Sequence, residues 1–385
     1  MLKEVDFKKA TSEVLKEGKT RQRFEQALQK QNQRKKNYDA LFSDYDLASK
    51  RAAYIRWKAI ESLDKLLIAF EANCIKSGIK VLWALDSEQA LQEINSIAQK
   101  HNLSHIDIQS RLQEELNLPL SEIGYGKKLS VRDVAFITAE PSGIICRDTA
   151  DNLIQESACN DVVLYIAPID SMLTSPHDAE VLLGILSAGP DDQNIKNNLR
   201  IITSANESNG AVYVLLVDNG RSSLLENIKL RQLLRCINSG ACNESSAVVH
   251  SIGFTGGNRQ EYGPLLYAKA PAIGGYRDFG HYAYNTPLCG QCNVVCPVRI
   301  DFTDIFLEHR HVMVQQKLRP QKERLFYMVW KKTMLKREFM NWKAVNPMRY
   351  SIETLFLKSK TGIRKLPEAS HVSFNQQWRE RMGMK

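Results

Sequence analysis

Residues 211–237 read AVYVLLVDNGRSSLLENIKLRQLLRCI. The unbroken apolar run to Val217 predicts a buried strand, and Asp218-Asn219-Gly220 a sharp turn in which Gly220 supplies a positive φ. The periodic stretch after Arg221 predicts a helix that delivers Cys236 at its end. Asp218, Asn219, Gly220 and Arg221 stand where open α/β sheets place ligands, at the carboxyl end of a strand. The residue types alone ask for no more than a structural turn.

The same alternation extends upstream. IKVLWAL (79–85), DVVLYIAP (161–168) and LRIITSA (199–205) read as strands, and DVAFITAE with SGIICRD, flanking Pro141, as a tight hairpin. DSEQALQEINSIAQKHN (86–102) reads as a helix opened by Asp86 with Glu88 in its first turn. SPHDAEVLLGILSAG (175–189) reads as another, with Ser175 as N-cap and Pro176 at its first position. Strands alternating with helices predict an α/β class and a mainly parallel sheet covered on both faces.

Around this centre the texture is helical. Residues 5–37 are polar and weakly periodic, an arm that needs a partner surface to be stable. Residues 47–78 place Ile55, Ile60, Leu63, Leu66, Leu67 and Phe70 on one face of a long amphipathic helix that ends at Gly78. After residue 300 come helical runs rich in Lys, Arg, Trp and Met.

At 385 residues, 43% hydrophobic and 25% charged, the chain has the composition of a globular protein of two or three domains. No run approaches a membrane span, and the first residues lack a secretory signal, so a cytoplasmic location is expected. The net charge of +9 is uneven: residues 1–60 carry 15 Lys/Arg against 8 Asp/Glu and residues 301–385 carry 18 against 8, leaving the middle at −8. Basic ends of this kind suit the chain's own acidic centre, a partner subunit or peripheral association with an anionic membrane. Nucleic acid is not expected, because no reading motif accompanies the charge.

Of eight cysteines, Cys74, Cys146 and Cys159 are scattered, whereas Cys236, Cys242, Cys289, Cys292 and Cys296 fall close together. That grouping favours metal or redox chemistry over a disulfide framework. Cys289-x2-Cys292-x3-Cys296-Pro297 matches the latter part of a bacterial ferredoxin run, in which closely spaced thiolates bind one cluster and the Cys before Pro crosses to another. A structural zinc site, from Cys289, Cys292 and Cys296 with Cys236 or Cys242, is the rival. The earlier segment CINSGACNESSAV (236–248) keeps the same spacing with Ser239 and Ser246 in two ligand positions and Ala247 in place of proline. A hydroxyl is far harder to deprotonate than a thiol, so each change weakens a cluster. With crossed ligands, one site is offered Cys236, Cys242 and Cys296 with Ser239 in the gap; the other has only Cys289 and Cys292 with Ser246. Three thiolates suit a 3Fe-4S cluster or a labile 4Fe-4S cluster. The expectation is one damaged cluster and one absent, with a cluster-free scaffold as the alternative.

These segments resemble a known family, the iron–sulfur subunit of bacterial L-lactate utilization. The resemblance runs through FEANCIKSGIKVLWALDSEQA (70–90), VLLVDNGRSSLLENIKLRQLLRCINSGAC (214–242), GGNRQEYG (256–263), APAIGG (270–275) and YRDFGHYAYNTPLCGQCNVVCPVRIDF (276–302). It implies a Rossmann-like, CoA-transferase-like LUD domain followed by a mostly α-helical ferredoxin-type module with two 4Fe-4S clusters. The layout it implies is a helical extension (1–75), the LUD-like domain (76–222), the cysteine module (223–312) and a basic helical tail (313–385). It further implies an electron-transfer role, with no catalytic residues of its own, among other subunits of a complex that oxidises L-lactate to pyruvate. By position Cys236, Cys242, Cys289, Cys292 and Cys296 match the family's ligands, and Ser239 and Ser246 stand where ligands are lost. The chain departs from the family in its short 100–133 segment and in AEPSG (139–143), so no small-molecule site is carried over.

Other residues support bland readings. GFTGGNRQEYG (253–263) matches no phosphate-loop spacing. His250, His281, His309 and His311 are candidates for a hybrid site but more ordinary as packing or surface residues, and Met328, Trp330, Met340 and Trp342 lie at helical spacing typical of packing.

Overall fold

The computed structural model describes residues 1–110, 112–113, 115–116, 118–119, 127–147, 162–189, 199–207, 210–253, 262–335, 372 and 374–383. Cys159, Met340, Trp342 and most of the glycine-rich GFTGGNRQEYG lie outside them. The chain forms two compact units, Met1–Met313 and Val314–Lys385.

In the larger unit, four helices precede the sheet: α1 (Glu4–Lys16), α2 (Thr20–Leu41), α3 (Tyr45–Glu61) and α4 (Leu63–Lys76). The single long helix expected over 47–78 is two. Ser62 leaves the helical region (φ −118°, ψ 23°), and its hydroxyl donates to the Lys58 carbonyl at 2.8 Å, closing α3. Gly78 ends α4 at φ +80° as expected. The polar arm finds its partner surface within the chain: Phe7 packs on His281 and Tyr282, and Arg23 donates to the carbonyls of His250 and Ser251.

The strands are β1 (Lys80–Ala84), β2 (His105–Gln109), β3 (Lys128–Ala139), β4 (Ser142–Arg147), β5 (Val162–Pro168), β6 (Met172–Leu173), β7 (Leu199–Ile202) and β8 (Ala211–Val217). Among the described residues, β2, β3, β5, β8 and β1 pair side by side in parallel. Beyond an irregularity at Val134/Phe136, the second half of β3 pairs antiparallel with β4, which pairs antiparallel with β7, so the sheet is mixed with a parallel majority. Both faces are covered, and the period of two along the strands shows how. In β5, Val163, Tyr165 and Ala167 join one apolar core while Val162, Leu164 and Ile166 join the other; β8 divides the same way. Helix α5 (Ser87–Lys100), capped by Asp86 accepting from Gln89 N at 2.9 Å, covers one face, and α6 (Pro176–Leu186), with a capping box at Ser175, covers the other.

The helix expected after the Asp218 turn is broken into short pieces: 3₁₀ turns at Ser222–Leu225 and Gln232–Arg235 flank α7 (Ile228–Arg231). The break is at Asn227, which is extended (φ −105°, ψ 119°) and whose side chain caps the Lys229 and Leu230 amides. Described residues from there to Phe306, among them Leu230, Leu234, Tyr267, Tyr282, Val298 and Phe306, pack into the same core as α3, α4 and β4.

Of the histidines singled out, His309 is fully buried, with Nε2 2.7 Å from the Ala268 carbonyl and Nδ1 2.9 Å from the Tyr276 hydroxyl. His250 Nε2 lies 2.9 Å from the Glu244 carbonyl and stacks edge-on against Phe24. Both are packing residues. In the smaller unit, α14 (Gln321–Met334) leaves Leu325, Met328 and Val329 exposed. No helix among the described residues is long and apolar enough to cross a membrane.

Candidate metal centre

The two cysteine segments fold as copies of one loop. Asn238 and Leu288 both take φ +55°; Gly240 and Gly290 follow at φ +74° and +76°. Each glycine opens one short helix, α8 (Ala241–Ser245) or α12 (Gln291–Val295), and each helix ends in extended backbone, at Ser246 (φ −83°, ψ 110°) or Cys296 (φ −71°, ψ 115°). Main-chain bonds repeat as well: Asn243 N to Gly240 O at 2.9 Å, and Asn293 N to Gly290 O at 3.0 Å. The copies are related by a constant shift of fifty positions, which pairs Cys236 with Thr286, Ser239 with Cys289, Cys242 with Cys292 and Ser246 with Cys296.

That pairing exposes a position the sequence reading missed. Thr286 stands where the second loop would carry its first thiol, and its Oγ1 accepts from Leu288 N at 3.1 Å as Cys236 Sγ accepts from Asn238 N at 3.3 Å. Counting three residues back from Cys289 was the available signal.

The two loops pack against each other through α8 and α12, along with α10 (Gly263–Gly274). Burial, together with the charges of Cys236, Cys292 and Cys296, raises the Cys242 thiol well above its usual range, so these sulfurs are neighbours; Cys296 is buried, and Cys236, Cys242 and Cys292 are half-buried. Burial likewise raises Cys236, and pushes Cys296 up to about 12. Two features work the other way and favour thiolate. The ammonium of Lys269 and the guanidinium of Arg56 act on Cys236, and backbone amides point at the sulfurs: Ile300 N lies 3.4 Å from Cys296 Sγ. Ser246, Cys289 and Cys292 line a separate small cavity with Thr286. Cys289 is exposed; burial, then the neighbouring Cys289, pushes Cys292 up to about 11.

The structure therefore brings Cys236, Cys242 and Cys296 together at one end and Cys289, Cys292, Thr286 and Ser246 at the other, with Cys292 between. Ser239 is held by its carbonyl, which accepts from Arg34 Nη2 at 2.8 Å. Among the described residues no three His, Cys, Asp or Glu side chains form a ready single-ion site. The donor set at the first end fits an iron–sulfur cluster: three thiols, amide N–H···S bonds and two nearby cations that balance an anionic centre. At the second end, two thiols and two hydroxyls do not fit one.

Residues far away in sequence hold both loops. Arg34 makes a bidentate ion pair with Glu244 at 2.7–2.8 Å, and Ser49 Oγ donates to the Pro297 carbonyl at 3.0 Å. Arg56, fully buried, donates to the carbonyls of Met172 (3.0 Å), Leu234 (2.6 Å), Arg235 (3.1 Å) and Asp170. It thus ties the residues before Cys236 to the carboxyl edge of the sheet. Beside it, Arg221 of the predicted turn pairs with Asp170 at 3.0 Å and Glu115 at 2.8 Å. Burial would raise the Glu115 carboxyl, but Arg221 overrides this and holds it down to about 2. The Asp218–Arg221 turn is thus a buried ionic joint.

No family model matches the chain. It is similar to proteins named lactate utilization protein B from Bacillus cytotoxicus and Bacillus thuringiensis, each 25% identical in an alignment that covers 70% of this chain and 73% of theirs. A solved structure of a DUF162 family protein from Deinococcus radiodurans aligns with 40% of this chain and 98% of its own, at 15% identity and a TM-score of 0.29, a likeness too slight to carry an argument.

Proposed function

We propose that the chain is an iron–sulfur electron-transfer subunit of a cytoplasmic lactate-utilization type complex, built from a LUD-like α/β domain and a ferredoxin-type module. The observation that carries the redox part is the duplicated loop in which Cys236, Cys242 and Cys296 act on one another, with Lys269 and Arg56 acting on Cys236. The link to lactate comes from the names of the similar Bacillus proteins. A bound cluster supplies reversible one-electron storage. In this reading Cys236, Cys242 and Cys296 would hold it, and Ser239 occupies by spacing the position of the fourth ligand. Amides such as those of Asn238 and Ile300 donate to the sulfurs. The chain relays electrons for partner subunits and performs no substrate chemistry.

The replacement of ligands by Ser239, Ser246 and Thr286 favours a second reading, a scaffold that keeps the partner surfaces without a cluster. Visible spectroscopy separates them. Anaerobically purified protein should be brown, with a broad absorption band that dithionite bleaches and air restores. Colourless protein with no reversible band rules out the relay.

A further inference from the structure

The second end of the cysteine module retains chemistry that a lost cluster leaves unused. Its hydroxyls are committed to the backbone: Thr286 Oγ1 accepts from Leu288 N at 3.1 Å, and Ser246 Oγ caps α9 (Ala247–Ile252) by accepting from Val249 N at 3.3 Å. The cavity among Ser246, Thr286, Cys289, Cys292 and Phe306 has a volume of about 20 Å³, room for a single water. Two thiols remain, separated by two residues at the start of α12. Gly290 between them turns the chain at φ +76° with nothing within 4 Å of where a Cβ would stand. Cys289 is exposed and Cys292 half-buried behind it, so the outer sulfur meets a reagent from solvent while the inner one is shielded.

We propose that Cys289 and Cys292 form a reversible dithiol/disulfide pair in the half-site that Thr286 and Ser246 have closed to a cluster. The proposal rests on the reading of the two loops as a ferredoxin-type module proposed above, not on whether the first site is loaded. The oxidant is a low-molecular-weight disulfide. The Cys289 thiolate attacks one of its sulfurs, forming a mixed disulfide and releasing one thiolate. Cys292 then loses its proton and attacks the Cys289 sulfur, expelling the second thiolate and leaving a Cys289–Cys292 bond. The protein loses two electrons and two protons; the external disulfide becomes two thiols.

The test uses the full-length protein, purified anaerobically and equilibrated in glutathione buffers from fully reduced to fully oxidised. Samples are acid-quenched, labelled with a maleimide and mapped by mass spectrometry; trypsin releases both thiols with Cys296 in the peptide 278–299. The expected result is loss of both tags together along a two-electron curve, a link located between Cys289 and Cys292, and unchanged iron content in Cys289→Ser. Labelling of both thiols in every buffer, a link from Cys292 to Cys242, or loss of iron in Cys289→Ser overturns the proposal. Iron-free protein that still forms the disulfide would refute the relay function alone. Iron enough for two clusters would refute the dithiol alone.

Discussion

Replacing Arg56 with Met should destabilise the larger unit and loosen the first cysteine loop together. The guanidinium is fully buried and donates to four main-chain carbonyls, those of Asp170, Met172, Leu234 and Arg235. Burial brings the Arg56 pKa down to about 10, an effect that Asp170 and Cys236 partly offset; the group stays charged at neutral pH. Methionine fills the space but leaves the acceptors short of donors in a region closed to water. A buried acceptor left unpaired costs about 1–3 kcal/mol. Some of the four will relax, so the expected loss is about 3–5 kcal/mol, in line with breaking a buried charged network. At about 2–4 °C per kcal/mol this is a fall in Tm on the order of 10 °C. Because Leu234 and Arg235 immediately precede Cys236, iron retention should fall as well, and Arg56→Lys, which keeps the charge but not the planar fork, should fall between. Anaerobic calorimetry with iron analysis of the same samples measures both. A Tm within about 2 °C of wild type for Arg56→Met would refute the view that this residue joins the loop to the sheet.

Three further outcomes follow from the structure. Burial holds the His309 imidazole down to about 4, and its bond to the Ala268 carbonyl requires Nε2–H, so Nδ1 accepts from Tyr276. The unfolded chain then takes up the proton first: stability is full above about pH 6.5 and falls by about 3 kcal/mol as pH drops toward 4, and urea titrations of His309→Gln should show a flatter dependence over that window. Gly290→Ala should cost about 1–2 kcal/mol for its left-handed backbone alone, because no neighbour crowds the position, and thermal melts check this. Glu115→Gln removes one partner of the buried Arg221 and should cost about 3 kcal/mol at neutral pH but little near pH 2, where the native carboxylate is itself half protonated; acid-to-neutral denaturant midpoints for both chains measure the difference.

Much of the sheet was legible because buried strands read as continuous apolar runs, as in VVLYIA and AVYVLLV, and because Asp86 and Ser175 mark helix starts. β2 escaped notice because HIDIQ is short and polar, and gains its strand character from pairing with β3. The fracture of the helix after Gly220 came from one residue, Asn227, which competes for the amides ahead of it. In the cysteine module, spacing pointed to the separation into two ends, but Thr286 went unread because a threonine carries no ligand signal until the two loops are laid over each other. Arg34, Ser49 and Arg56 could not be found from sequence at all. Their partners lie more than a hundred residues away, and only the fold brings them together.

The most direct test is the amount of iron and sulfide per chain after anaerobic reconstitution, read with EPR. The account predicts one cluster, about three to four iron atoms with matching sulfide, lost in Cys242→Ala and kept in Cys289→Ser. No iron, or iron for two clusters, would contradict it.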